Sequence, residues 1–334
     1  MMQVLIGGAP GTGSSVLVRT LDRHSQLLAG PETFLFIHPK LYSDFKSSKQ
    51  YLIRSSKFGG LKSVGWFRFN GSLLLDPYYL QNPQNLARII QESPHFPAFA
   101  ERFFQPALEK HRAQIWVEKS PSNVIGFEAF LEQFPEGRVI HTLRDPYDNI
   151  ASLMARGYNA YYATAAVLMN QSFGLRSANH PRYQSIRYEA LVSEPEAEIT
   201  RLLRGLKLKF EPGQLIAESN LAEVEMTGWS QSERGQIKAS EQSRFDQLDD
   251  QNKADILFLA GSIEIDPKYA AKFGLSNRTL SDICRNSQYP EKKSTGRPKN
   301  NYKRERLKDW WLRSIRFYPT GYFNYPIRLK SYHE

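Results

Sequence analysis

The sequence predicts an α/β domain, a parallel β-sheet flanked by helices with helical insertions, because strand-like and helical segments alternate and the helices start at recognisable caps. Met2–Gly8 reads as a short buried strand running into a glycine-rich turn. A helix follows from Ser14, with Val16, Leu17 and Leu21 at helical spacing and Ser14 or Ser15 available to accept backbone N–H bonds at its start. Between Phe34 and Arg112 aromatic residues are interrupted by Pro and Asn, and only helices near Pro83–Glu92 and Pro97–His111 are predicted. Gln114–Lys119 reads as a strand. Ser120 and Pro121 then offer a cap and a first-turn proline for a helix expected to run to about Phe134. Arg138–Arg144 is the next strand, followed by a helix that Asp145 caps, Pro146 opens and Gly157 ends. Tyr183–Tyr188 repeats the theme ahead of a helix from about Ser193 to Gly205. In such sheets ligands bind beyond the carboxyl ends of the strands.

Composition fits a folded chain: of 334 residues, 41% are hydrophobic and 23% charged. The net charge of +10 is uneven, because from Arg285 onward 13 Lys and Arg stand against 4 Asp and Glu. The preceding chain is therefore almost neutral, which argues against nucleic acid as its partner. Cys284 is the single cysteine, so neither an internal disulfide nor a thiolate zinc site can form, and the seven scattered histidines show no metal spacing. With no apolar stretch long enough to span a bilayer, the expectation is a cytoplasmic protein. Residues 1–284 are expected to form the α/β domain, with an acceptor-pocket insertion at about 34–112, and residues 285–334 a basic, aromatic C-terminal extension.

Gly8-Ala-Pro-Gly-Thr-Gly13-Ser-Ser15 follows the phosphate-loop pattern G-x-x-x-x-G-K-[ST], except that Ser14 replaces the lysine. Backbone N–H groups and a helix N-terminus still cradle an anion without that side chain. A nucleoside triphosphate fits less well, since the missing ammonium holds its terminal phosphates, and no strand ends in a magnesium-binding Asp. The motif points to a P-loop NTPase-like sheet that binds a phosphate without metal. A second set is Arg144, Ser152 and Arg156: the arginine ends a strand, and the other two stand four apart on the next helix. A guanidinium fork with a hydroxyl suits a phosphate monoester. The same residues also allow a plain ion pair of Arg144 with Asp145 or Asp148.

Two phosphate sites without a loop lysine or metal carboxylate resemble those of the sulfotransferases that use 3′-phosphoadenosine 5′-phosphosulfate (PAPS). The resemblance covers the first 35 residues and about Trp116 to Phe210. It implies that Gly11, Thr12, Gly13, Ser14 and Ser15 bind the 5′-phosphosulfate, and Arg144, Ser152 and Arg156 the 3′-phosphate. Trp116–Asn123 is similar to the strand-to-helix turn of bacterial and Golgi-type members, and Tyr188-Glu-Ala-Leu-Val to their nucleotide-side tyrosine segment. Gly30-Pro-Glu32-Thr33 resembles the tyrosylprotein branch, which implies that Glu32 is the general base. One departure stands out: members usually carry Lys or Arg at the position of Gly11. Lys119, which matches another lysine implicated in the family, or Arg19 one helical turn on, is then expected to supply the charge.

The resemblance implies PAPS as donor, an acceptor with a hydroxyl group (a saccharide, glycolipid, phenol or tyrosine) and no metal. Rings between Phe34 and Phe104 are expected to line the acceptor pocket. Lys238, in the glycine-punctuated stretch Gly228–Lys238, is expected to contact a phosphate. Asn301–Tyr318 places Leu307, Trp310 and Trp311 on one helical face, which suits either an anionic membrane surface or docking onto the main domain. Ser287–Asn300 is expected to be a linker. Two rival functions are a P-loop kinase or NTPase, and a non-catalytic nucleotide- or polyanion-binding protein.

Overall fold

The structure is a computed structural model, and it describes residues 2–58, 78–215, 243–293, 302, 304–305, 307 and 327–329. Its residues divide into two compact units that interleave in sequence. One holds residues 1–7, 13–142 and 180–239; the other holds 8–12, 143–179 and 240–334.

The first unit contains the parallel five-stranded sheet. Strands β1 (Gln3–Gly8), β2 (Leu27–Ala29), β3 (Ile115–Lys119), β4 (Arg138–Leu143) and β5 (Tyr183–Arg187) run in the order β2-β3-β1-β4-β5. β3 pairs in parallel with β1, Ile6 opposite Lys119, and with β2. All residues of β1 and β3 are buried, so both faces of these strands are covered, polar Gln3, Glu118 and Lys119 included. Helix α1 (Ser14–Asp22) packs on β2 and β3.

After α1 and β2 the described residues of the insertion form α2 (Pro39–Ser43), α3 (Phe45–Phe58), α4 (Pro83–Glu92) and α5 (Phe96–His111). The last two follow the predicted ranges almost residue for residue. Their rings do something other than line a pocket. Phe36 packs against Phe96, Phe104, Trp116, Phe130 and Phe134 at centroid separations of 5.3–6.4 Å, and all six are at most 1% exposed. The expectation that the described aromatics stack on an acceptor is therefore corrected: they are the core of this unit, where burial of apolar area outweighs display. Phe67 and Phe69 lie outside the described residues.

The turn after β3 also differs from expectation. Pro121–Gly126 is a 3-10 segment, and α6 (Phe127–Gln133) starts only afterwards. Ser120 makes no cap; its hydroxyl donates to Glu118 Oε1 at 2.8 Å. Likewise the N-cap of α1 is Gly13, with no side-chain cap from Ser14 or Ser15.

The second unit is built on α7 (Pro146–Met154) and α8 (Ala160–Arg176). As predicted, Asp145 caps α7, accepting from the N–H groups of Tyr147 and Asp148 at 2.9 and 3.0 Å. The predicted helix from about Ser193 to Gly205 is α10 (Pro195–Gly205), in the first unit, and a short helix that was not predicted, α9 (Tyr188–Ser193), precedes it. The second unit continues with α11 (Asp250–Ser262), α12 (Pro267–Phe273), α13 (Leu280–Asn286) and an antiparallel pair, β6 (Ile263–Ile265) with β7 (Ile327–Leu329). The start of the expected linker is docked: Tyr147 Oη donates to the Lys292 carbonyl at 3.2 Å and accepts from the Lys292 N–H at 3.0 Å. Tyr302 is buried, donating to Asp255 Oδ2 at 2.9 Å. Trp310 and Trp311 lie outside the described residues. No helix among the described residues is long and apolar enough to cross a membrane.

Candidate active site

In the first unit the predicted residues gather at the carboxyl ends of the strands. Lys119, the last residue of β3, is 2% exposed, and its ammonium forms an ion pair with Glu32, which lies just beyond β2. The same Nζ stands 3.4 Å from Ser15 Oγ in the first turn of α1. One buried cation thus bridges the predicted base and the predicted phosphate loop. Gly13 has φ +81, a left-handed conformation, and a Cβ there would stand 2.5 Å from Tyr188 Cδ2. Only glycine lets the tyrosine ring lie against the loop where α1 begins. The N–H groups of that first turn have no partners within a helix, the arrangement that suits an anion.

Glu118 was not singled out in the sequence. It is 0% exposed and accepts from the Thr33 N–H, the Thr33 hydroxyl and the Ser120 hydroxyl, each at 2.8 Å, and from Asn123 Nδ2. Burial raises its pKa above the ordinary carboxylate range, and the hydrogen bonds from Asn123, Thr33 and Ser120 oppose that shift.

In the second unit residues 8–12 carry the other half of the motif. Thr12 Oγ1 donates to the Ala9 carbonyl at 2.8 Å and closes the turn. Arg144 Nη1 donates to the Gly11 carbonyl at 3.1 Å. Asn149 Nδ2 donates to the Pro10 carbonyl at 2.7 Å. Gly11 has φ +91, and a Cβ on it would stand 2.9 Å from Asn149 Nδ2, 3.3 Å from Ser152 Oγ and 3.6 Å from Arg156 Nη1. Arg144, Ser152 and Arg156 therefore do converge, around the Gly11 backbone, although α7 ends at Met154 and Arg156 lies just past it. The simple ion pair is also present, with Arg144 Nη2 3.7 Å from Asp148 Oδ2.

Arg244 completes this group. Burial, then Arg244, then Arg144 lower the pKa of Arg156, so two further guanidinium groups stand close enough to repel it, and Asp148 stands by Arg144. Asp148 also anchors the Arg244 segment by accepting from Ser243 Oγ at 2.6 Å and from the Phe245 N–H at 3.1 Å. Such an excess of positive charge favours a bound anion. Asn149 and Arg244 were not predicted, because neither stands at a spacing that singles it out. Lys238 lies outside the described residues. No group of three His, Cys, Asp or Glu side chains that could hold a metal stands among the described residues.

The model of the "Sulfotransferase family" matches residues 3–212, well over half of the chain. No curated protein matches. Among solved structures, the sulfotransferase domain of the Synechococcus PCC 7002 olefin synthase is 18% identical, with 86% of this chain and 94% of that chain covered and a TM-score of 0.48. The sulfotransferase domain from the curacin biosynthetic pathway is 21% identical over 64% of this chain and 76% of that one, with a TM-score of 0.44. Sulfotransferase STF9 from Mycobacterium avium is 15% identical over 67% and 72%, with a TM-score of 0.38.

Proposed function

This chain belongs to the sulfotransferase family, and from that premise we propose that it transfers a sulfuryl group from PAPS to the hydroxyl of an acceptor. The observation that carries the reading is the buried Lys119 ammonium held between Glu32 and Ser15. PAPS supplies an activated sulfate whose sulfur–oxygen bond to phosphate breaks as the bond to the acceptor oxygen forms. Glu32 takes the proton of the acceptor hydroxyl. Lys119 and the first-turn N–H groups of α1 balance the negative charge that builds on the departing phosphate oxygen. Arg144, Ser152 and Arg156, with Arg244 beside them, hold the 3′-phosphate through charge-assisted bonds. The acceptor is a saccharide, glycolipid, phenol or tyrosine.

Calorimetry with adenosine 3′,5′-bisphosphate against ATP with magnesium tests the nucleotide, and the bisphosphate is expected to bind more tightly. The reverse order would return the kinase reading. Transfer of label from PAPS to a panel of hydroxyl acceptors tests the activity; tight bisphosphate binding without transfer to any of them would make this a binding protein. Arg144→Ala should weaken bisphosphate binding by about tenfold or more, the worth of a charge-assisted bond. Unchanged affinity would remove that arginine from the site.

A further inference from the structure

Strand β3 ends in two charged residues that alternate in direction: Lys119 faces Glu32 and Ser15, while Glu118 is sealed among Thr33, Ser120 and Asn123. Stability alone does not account for Glu118. A buried charge carries a large desolvation penalty, and an apolar residue of similar volume is often as good or better for folding.

Its partners do account for it, because each belongs to a segment that carries a part of the site. Thr33 follows Glu32, and both its N–H and its hydroxyl donate to Glu118 Oε1. Ser120 follows Lys119 and donates to the same oxygen. Asn123 donates to Oε2 and also to the Ile6 carbonyl at 2.9 Å, on the strand that leads into the loop. Ser120 Oγ in turn accepts from the Phe34 N–H at 3.1 Å. Phe34 has φ +59, a left-handed conformation costly for a ring-bearing residue. Strain of this kind persists only where surrounding bonds fix the backbone, and it lies two residues from the proposed base.

We propose that Glu118 is the positioning residue of the reaction centre: through Thr33, Ser120 and Asn123 its carboxylate holds the Glu32 segment, the end of β3 and β1 in one frame. Glu118 touches neither donor nor acceptor. Its effect on turnover rests on the sulfuryl-transfer reading; the clamp itself does not.

The test uses Glu118→Gln in the full-length protein, since glutamine keeps the volume but presents an NH2 group toward the NH2 of Asn123 or toward the Thr33 donors. Two readouts are taken. Without nucleotide, acetylation of Lys119 by acetic anhydride is followed by peptide mass spectrometry against the exposed Lys110. With PAPS and an acceptor, kcat is measured beside the affinity for adenosine 3′,5′-bisphosphate. Lys119 labelling should rise about fivefold relative to Lys110, and kcat should fall at least about tenfold with bisphosphate affinity kept within about threefold, as expected for a small misplacement of reacting groups.

In a Glu32→Gln background the further loss of kcat from Glu118→Gln should be clearly smaller than in the wild type, because part of its effect passes through Glu32. Wild-type labelling and wild-type kcat in Glu118→Gln would overturn the proposal, as would full additivity with Glu32→Gln. If Glu118→Gln does not fold, Ser120→Ala and Thr33→Val each cut one arm of the clamp and should give smaller changes in the same direction; no change in either overturns it. If wild-type protein transfers no sulfuryl group, the functional reading falls and Lys119 labelling still decides the clamp.

Discussion

Gly11 shows how one residue's backbone can exclude the side chain that a resemblance leads one to expect. Its φ of +91 lies outside the ordinary range of L-residues, and its missing Cβ leaves room for Asn149, which ties down the Pro10 carbonyl. Gly11→Lys is therefore expected to cost about 1–2 kcal/mol in stability, the penalty of a left-handed L-residue, and to weaken bisphosphate binding. Urea titration and calorimetry check both; unchanged stability with higher turnover would show that the loop relaxes. Lys119→Ala should lower turnover by about two orders of magnitude or more, the scale of one lost charge-stabilising donor, with bisphosphate affinity largely kept. Near-normal turnover would take Lys119 out of the mechanism. The glycines of the loop, Arg144, Ser152 and Arg156 were legible in the sequence because motif spacing reflects local geometry. Glu118, Asn149 and Arg244 were not, since their roles come from partners tens to more than a hundred residues away: Thr33 for Glu118, Pro10 for Asn149, Arg156 for Arg244.

The starts of the helices at Asp145-Pro146 and at Pro83 were read from sequence almost to the residue, although the first ends at Met154, short of the expected Gly157. Ser120-Pro121 carries the same signal yet opens a 3-10 turn, because the Ser120 hydroxyl is committed to Glu118 and Phe34. A local cap competes with a tertiary hydrogen bond, and here the tertiary bond wins. The aromatic insertion illustrates the same limit for burial. Its composition suggested a surface for an acceptor, but only packing shows that α5 turns Phe96, Phe99, Phe103 and Phe104 inward. Phe36→Ala is expected to destabilise the protein by about 3–5 kcal/mol, because a fully buried ring leaves a cavity that the other rings fill only in part. A shift in the denaturation midpoint checks it. A loss below about 1 kcal/mol would mean that this cluster collapses freely.

Across the whole chain, acid and alkali should act on different groups. Burial lowers the His38 pKa from 6.5 to about 4. An unfolded chain takes up this proton near pH 6.5 and the folded one only near pH 4, so the stability contributed is complete above 6.5 and is lost as the pH falls through that window. Burial raises the Cys284 thiol from 9.0 to about 12, so its contribution is present below pH 9 and is lost as the pH rises toward 12. Urea midpoints at pH 7, 5.5 and 4.5 should decline, and the decline should flatten in His38→Gln; an equal slope in both proteins would assign the loss to other groups. Charge at this scale was legible too, since nine of the ten net positive charges lie from Arg285 onward.

The two units trade segments at 7/8, 12/13, 142/143, 179/180 and 239/240. No uninterrupted stretch of gene therefore encodes either one. A chain that stops at any point before residue 239 would leave both units missing a segment.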